Sequence, residues 1–129
     1  MKSFIRALGR EAESRATALA TNRGGETATL YFGGGTPSML SDTHLGRLME
    51  TLDRLVPVDK LDEFSFEANP ATFTEKKVRF WRSLGMTRVS LGVQSLDSGI
   101  LHLLGREHTP AQALHSVEML KIGRASCRE

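Results

Sequence analysis

Apolar residues recur every three or four positions in several stretches of the chain, a spacing that predicts amphipathic helices. Ser41 and Thr74, two residue types that cap the starts of helices, each precede such a stretch. Gly85 and Gly105 each follow one, at a position where a left-handed residue would end the helix. The predicted helices are residues 3–20, a helix after Ser41, a helix after Thr74, residues 97–104 and a last helix that begins at Thr109-Pro110.

Three short apolar runs lie between these helices and are predicted as strands, at residues 27–32, 64–68 and 88–93. Strands that alternate with helices indicate βαβ crossovers, and therefore an α/β fold with a parallel sheet. In the second strand, Ser65 and Glu67 share one face, and Phe64 and Phe66 share the other. A sheet covered by helices on both faces would have continuously apolar strands. The pattern therefore favours a barrel whose lumen stays open to a ligand.

Composition changes this picture little. The chain has 129 residues, enough for one ordinary domain and too few for two. The formal net charge is +2, and the basic residues are scattered among acidic ones, so no patch for nucleic acid or a membrane surface is indicated. No apolar stretch reaches the length of a membrane span, and no signal peptide precedes the first helix. We therefore expect a cytoplasmic protein.

Polar residues and glycines follow all three predicted strands. The first strand ends in Gly33-Gly34-Gly35-Thr36, the second in Glu67-Ala68-Asn69-Pro70 and the third in Gln94-Ser95. Ligand sites in parallel α/β folds gather at the carboxyl ends of the strands, so these groups predict one shared site. Each segment also has a simpler interpretation: the glycines as a wide turn, Glu67 as a solvated strand end and Gln94 as a polar cap on the sheet.

The sequence provides no metal-ligand spacing. Its four histidines lie at helix starts or on helix bodies, and we predict no metal ligand among them. The only cysteine, Cys127, cannot form an internal disulfide. It lies in residues 122–129, a string that one reading frame of a common sequencing-adapter stem also encodes. We interpret residues 122–129 as a non-native, adapter-derived tail; a frayed C-terminus is the alternative.

Four segments, taken in order along the chain, form a pattern typical of one protein family: residues 31–38 (YFGGGTPS), 67–70 (EANP), 88–95 (RVSLGVQS) and 104–108 (LGREH). Together they resemble the radical S-adenosylmethionine (radical SAM) proteins related to oxygen-independent coproporphyrinogen III oxidase. The amino-acid sequences of the second and third segments are most similar to those of the branch of HemW-like haem chaperones. The resemblance covers residues 3–121.

The resemblance implies that residues 1–121 are part of a radical SAM core domain, a partial (β/α) TIM-like barrel of about three parallel strands with flanking helices. Such a domain binds S-adenosylmethionine beside a [4Fe–4S] cluster, and reductive cleavage of this cofactor gives a deoxyadenosyl radical. Porphyrin or haem is the further ligand that the family implies. By similarity, Gly34, Gly35 and Thr36 would contact the amino-acid part of S-adenosylmethionine. Glu67 would bind its ammonium group, and Gln94 and Arg106 would contact the rest of the molecule or a second ligand.

The chain departs from the family at the cluster. The family holds it with a Cys-x-x-x-Cys-x-x-Cys trio after the first barrel strand, and this sequence has no such trio. We therefore expect an internal fragment, inactive by itself, that needs the remainder of its barrel. Three hypotheses stay open for the parent protein: a radical SAM enzyme, a non-enzymatic haem chaperone of the HemW type, and an iron-free α/β barrel that binds phosphate at the glycine loop.

Overall fold

The computed structural model of the protein describes residues 2–16 and 28–125. The predicted loop at residues 22–25, the end of the first predicted helix, Thr27 and Cys127 lie outside these ranges. The elements are helix α1 (Lys2–Ser14), strand β1 (Thr29–Phe32), a 3-10 turn (Pro37–Met39), helix α2 (Asp42–Leu55), a second 3-10 turn (Val58–Lys60), strand β2 (Glu63–Ala68), helix α3 (Glu75–Ser83), strand β3 (Arg88–Leu91), helix α4 (Ser98–Leu103) and helix α5 (Pro110–Ala125).

The three strands form a parallel sheet in the order β1-β2-β3, as the alternation of strands and helices predicted. Phe32 of β1 is in register with Phe66 of β2, and Phe66 is in register with Val89 of β3. Glu67 is correspondingly level with Ser90. Residues in register on neighbouring parallel strands point to the same side, so the sheet has one apolar face and one polar face.

The apolar face carries the core of the molecule. Phe64 and Phe66 are fully buried, and the ring of Phe66 lies 4.8 Å from the ring of Trp81 on α3, measured between centroids. Leu45 and Met49 of α2 belong to the same cluster. On the polar face Tyr31 stays 58% exposed. Within residues 2–16 and 28–125, the helices therefore pack on the apolar side of the sheet and leave Tyr31 exposed on the polar side, as in a segment of a barrel wall.

Local sequence signals set the ends of the helices. The Ser41 side chain accepts the N–H of His44, and the Thr74 side chain accepts the N–H of Lys77, which confirms both predicted caps. Gly85 and Gly105 adopt the expected positive φ angles, 90° and 64°. Helix α5 continues to Ala125, four residues past the boundary of the core domain that the sequence predicted at residue 121. The adapter origin of residues 122–129 stays a prediction.

One detail of the sequence prediction was wrong. Strand β3 ends at Leu91, not Val93, because the N–H of Val93 turns back to the carbonyl of Leu91 at 2.9 Å and interrupts the extended backbone. On the amphipathic helix α1, Ile5 is buried, whereas Phe4 is 60% exposed. Among the described residues, no helix combines the length and apolar character needed to cross a membrane.

Candidate functional site

A pocket of about 300 Å³ lies on the polar face where the three strands end. It is lined by residues from the loop after β1, the end of β2, the segment after β3 and the segment after α4. These residues are Gly35, Thr36, Pro37, Glu67, Ala68, Asn69, Ser90, Gly92, Gln94 and Arg106. The carboxyl ends of parallel strands thus converge on one cavity, as the sequence predicted.

Glu67 is held in place by two hydrogen bonds from the neighbouring strand and its loop. The Tyr31 hydroxyl donates to one carboxylate oxygen, and the backbone N–H of Gly34 donates to the other at 3.2 Å. The hydrogen bond from the Tyr31 hydroxyl to Glu67 is the main cause that raises the pKa of the Tyr31 phenol above its ordinary value of 10.0. Desolvation and the negative charge of the carboxylate raise it further. Tyr31 therefore stays protonated, and keeps donating, at neutral pH.

The glycine loop has a steric reason for each of its first two glycines. A Cβ atom on Gly33 would collide with Cε1 of Tyr31, whose hydroxyl reaches Glu67. Gly34 has a φ of 106°, a conformation that side chains rarely allow. A Cβ on Gly35 would meet no atom within 4 Å, so the space beside this residue is open to a ligand.

A buried polar network anchors the loop beneath the pocket. The fully buried Ser38 shares a hydrogen bond of 2.6 Å with the hydroxyl of Thr72, and its oxygen accepts the N–H of Asn69 at 3.4 Å. The Asn69 amide donates to the hydroxyl of Thr36 at 3.3 Å. Because these contacts join the glycine loop to the end of β2, the two sides of the pocket are held at a fixed separation.

The third side of the pocket is a tight turn after β3. The N–H of Gly92 donates to the carbonyl of Ala68 at 2.9 Å. A Cβ on Gly92 would lie 2.9 Å from Oδ1 of Asn69 and 3.2 Å from Nε2 of Gln94, so a side chain here would displace one or both of these amides. Gln94 itself has a φ of 64°, which is uncommon for a residue with a side chain.

The structure brings the predicted site residues together. Gly35, Thr36, Glu67, Gln94 and Arg106 all line the pocket. The sixth, Gly34, adjoins it through its N–H, which donates to Glu67 and so is directed at a side chain of the chain itself. Their binding of a cofactor stays a prediction.

Sequence reasoning did not name Tyr31, Ser90 or Gly92 as site residues. Strand parity carried the signal for two of them, since Tyr31 is in register with Ser65, and Ser90 with Glu67, on the polar face. Gly92 is defined only by the contact between the two strand ends, which sequence spacing does not reveal.

The side chains suit an organic zwitterion better than a metal. Among residues 2–16 and 28–125, no group of three or more His, Cys, Asp or Glu side chains is placed to hold a metal ion. A [4Fe–4S] cluster requires several thiolates, and the sequence contains one cysteine, so the residues present do not fit a cluster. A carboxylate, a guanidinium and amides around a pocket of about 300 Å³ do fit the amino-acid part of S-adenosylmethionine.

An open parallel sheet covered by helices on one side, with a polar pocket at its carboxyl edge, defines the class as a segment of a (β/α) barrel. The model of the radical SAM superfamily matches residues 9–122. The chain belongs to the radical SAM superfamily, and the family resemblance stated from its motifs is confirmed. That family uses S-adenosylmethionine and a [4Fe–4S] cluster in general.

Curated relatives place the chain within the superfamily. It is 40% identical over 93 residues to the haem chaperone HemW of Lactococcus lactis subsp. lactis (strain IL1403), an alignment that covers 72% of this chain and 24% of the relative. It is 36% identical over 91 residues to HemW of Bacillus subtilis (strain 168), covering 70% and 24%. The chain thus spans about a quarter of the length of the curated relatives it matches.

A solved structure confirms the predicted fold class. Coproporphyrinogen III oxidase (HemN) from Escherichia coli, described as a radical SAM enzyme, superimposes with a TM-score of 0.78 at 26% identity. The match covers 93% of this chain and 27% of that structure. The three parallel strands and their helices therefore correspond to part of a radical SAM barrel, related to both HemN and HemW.

Proposed function

We propose that this chain forms the S-adenosylmethionine-binding wall of a longer HemN- or HemW-like protein. In this proposal Glu67 binds the ammonium group of the cofactor, and Gly34, Gly35 and Thr36 surround its amino-acid part. Gln94 and Arg106 contact the rest of the molecule or a second ligand. The chain alone is inactive, because it contains no cysteine trio for the cluster whose reducing electron the chemistry requires.

One observation carries the proposal: Glu67 and Arg106 line the same pocket. An ammonium group is attracted to the carboxylate, and a carboxylate group can form two parallel hydrogen bonds with a guanidinium. Both oxygens of Glu67 already accept one hydrogen bond, and a carboxylate has further lone pairs for a ligand. A pocket with both signs of charge therefore favours a zwitterionic amino-acid headgroup.

The same observation argues against the iron-free phosphate site. A phosphate in this pocket would lie beside the Glu67 carboxylate, and like charges repel each other. The N–H of Gly34, which a phosphate would need, is already donated to Glu67. Membership of the radical SAM superfamily argues in the same direction.

The test is a titration of the ¹⁵N-labelled 129-residue chain with S-adenosylmethionine, followed by amide NMR. We expect concentration-dependent shifts at Gly35, Glu67 and Gln94. The variant Glu67→Gln should weaken binding by about tenfold or more, since the ammonium loses its counter-charge, an effect of about 1–3 kcal/mol. Unchanged affinity of Glu67→Gln would count against the assignment.

Glu63→Gln is the matched control. Glu63 lies on the same strand and the same face as Glu67, but it pairs with Arg88 at 3.3 Å at the opposite end of the sheet. It should bind S-adenosylmethionine like the wild type. The same pair of variants in the longer protein, after reconstitution of its cluster, repeats the comparison with the cluster present.

The second candidate function is haem transfer by a non-enzymatic chaperone, which the names of the curated relatives favour. HemN, the structural relative, favours an oxidase acting on coproporphyrinogen III. Haem binding to the longer protein, measured by visible absorption, would support the chaperone. Decarboxylation of coproporphyrinogen III by the same preparation would support the oxidase. Porphyrin or haem is the proposed partner in both cases, together with the remainder of the barrel; the cytoplasmic location stays a prediction.

A further inference from the structure

The pocket contains one residue in a strained backbone conformation. Gln94, which lines the pocket, has a φ of 64°. Such a conformation is unfavourable in a residue with a side chain and persists only where its surroundings hold it. The contacts that hold Gln94 are therefore part of how the pocket is built.

The turn around Gln94 closes on a single carbonyl oxygen. The N–H of Ser95 donates to the carbonyl of Val93 at 2.8 Å, which makes a three-residue γ-turn with Gln94 at its centre. A γ-turn whose central φ is positive is the rare, strained type. One short hydrogen bond between residues two apart is a weak restraint on such a turn.

A buried histidine adds a second hydrogen bond to the same oxygen. Nε2 of His108 lies 3.0 Å from the carbonyl oxygen of Val93, and His108 is only 7% exposed. A carbonyl can only accept, so Nε2 carries the proton and donates. His108 thus lies where it can stabilise the turn from outside.

His108 also connects the turn to the second charged side of the pocket. It follows Arg106 by two residues, and Arg106 lines the pocket together with Gln94. The backbone N–H of Arg106 donates to the carbonyl of Leu101 at 2.9 Å, which anchors this segment to α4. The His108–Val93 hydrogen bond therefore fixes Gln94 and Arg106 relative to each other.

We propose that His108 is a positioning residue, which holds the Gln94 turn and Arg106 in the arrangement that receives the ligand. The proposal rests on the proposed S-adenosylmethionine site for its ligand. The hydrogen bond itself can be tested without any ligand. In His108→Leu the donor is lost at similar volume, while the Val93 carbonyl keeps its bond from Ser95, so the variant leaves no unpaired group.

The experiment compares His108→Leu and His108→Gln in the ¹⁵N-labelled chain. Gln places an N–H donor the same number of bonds from Cβ as Nε2 of histidine, so it should restore the hydrogen bond. We expect His108→Leu to speed hydrogen exchange of the Ser95 amide and to weaken S-adenosylmethionine binding, each by about three- to tenfold, the effect of one hydrogen bond. His108→Gln should lie close to the wild type. His102→Leu, an exposed histidine on α4, is the matched control and should change neither quantity.

Two results would overturn the proposal. The first is a hydrogen-exchange rate of the Ser95 amide in His108→Leu equal to that of the wild type. The second is a wild-type imidazole protonated at Nδ1 and unprotonated at Nε2, as read from long-range ¹H–¹⁵N correlations; this measurement uses the wild-type chain and so does not depend on whether a variant folds. If the wild type shows no shifts with S-adenosylmethionine, the proposed function fails, and the Ser95 exchange and the tautomer still decide the role of His108. Hydrogen exchange of residues 92–96 by mass spectrometry gives the same comparison in the longer protein.

Discussion

The two faces of the sheet are built from alternating residues of the same strands, and they differ in role: one face forms the core and the other lines the pocket. Phe66 is fully buried against Trp81, while its neighbour Glu67 points to the other side and lines the open pocket. The apolar face gains its stability from burial, which is insensitive to the exact direction of each contact. The polar face depends on hydrogen bonds whose directions are specific. Stability and binding should therefore respond to different substitutions.

The largest expected effect is on the apolar face. Phe66→Ala should lower the free energy of unfolding by about 3–5 kcal/mol, because it removes a fully buried ring and leaves a cavity. Glu67→Ala, one residue away, should change stability by no more than about 1 kcal/mol, since its partners can turn to water, while it weakens ligand binding by about 1–3 kcal/mol. Denaturant unfolding with a titration of S-adenosylmethionine measures both. Similar losses of stability in the two variants would contradict the division between the faces.

A smaller effect on stability is expected where the two strand ends touch. Gly92→Ala should cost about 1–3 kcal/mol, because the added methyl group lies 2.9 Å from Oδ1 of Asn69 and forces the pocket wall to move. Gly35→Ala is the control on the opposite wall, where a Cβ meets nothing within 4 Å. It should leave the thermal melting temperature unchanged and weaken S-adenosylmethionine binding. A stable Gly92→Ala with normal affinity would show that the wall is more adaptable than its contacts indicate.

On the polar face alone, Tyr31→Phe separates positioning from packing. The ring stays and the hydroxyl that donates to Glu67 is lost, so affinity for S-adenosylmethionine should fall by up to about tenfold with little change in stability. Calorimetric binding and thermal melting check the two parts. An affinity equal to that of the wild type would mean that Gly34 alone is enough to orient Glu67.

The smallest expected effect is spectroscopic. Tyr31 is the only tyrosine in the sequence, so alkaline titration of phenolate absorption reports on it directly. Its pKa is raised above 10.0 chiefly by the hydrogen bond to Glu67, and the pKa should return towards 10.0 in Glu67→Gln. Because the folded-state pKa is the higher one, the stabilising contribution is complete below pH 10 and is lost as the pH rises through the raised pKa. An identical titration curve in both proteins would contradict the contact.

The sequence by itself determined the order of helices and strands, the parallel sheet and the shared edge at which Gly35, Thr36, Glu67 and Gln94 lie, whereas Arg106 was named only from the family resemblance. It could do so because apolar periodicity, caps and strand parity are local properties, and because parallel strands end at the same edge. Only the tertiary structure decided that the third strand stops at Leu91, and that Tyr31 and Gly34 both donate to Glu67. The same is true of the contact from His108 to the Gln94 turn. These hydrogen bonds join segments that are far apart in the sequence, or they lie in a strained part of the backbone. A local sequence pattern does not indicate which donor and acceptor come into contact.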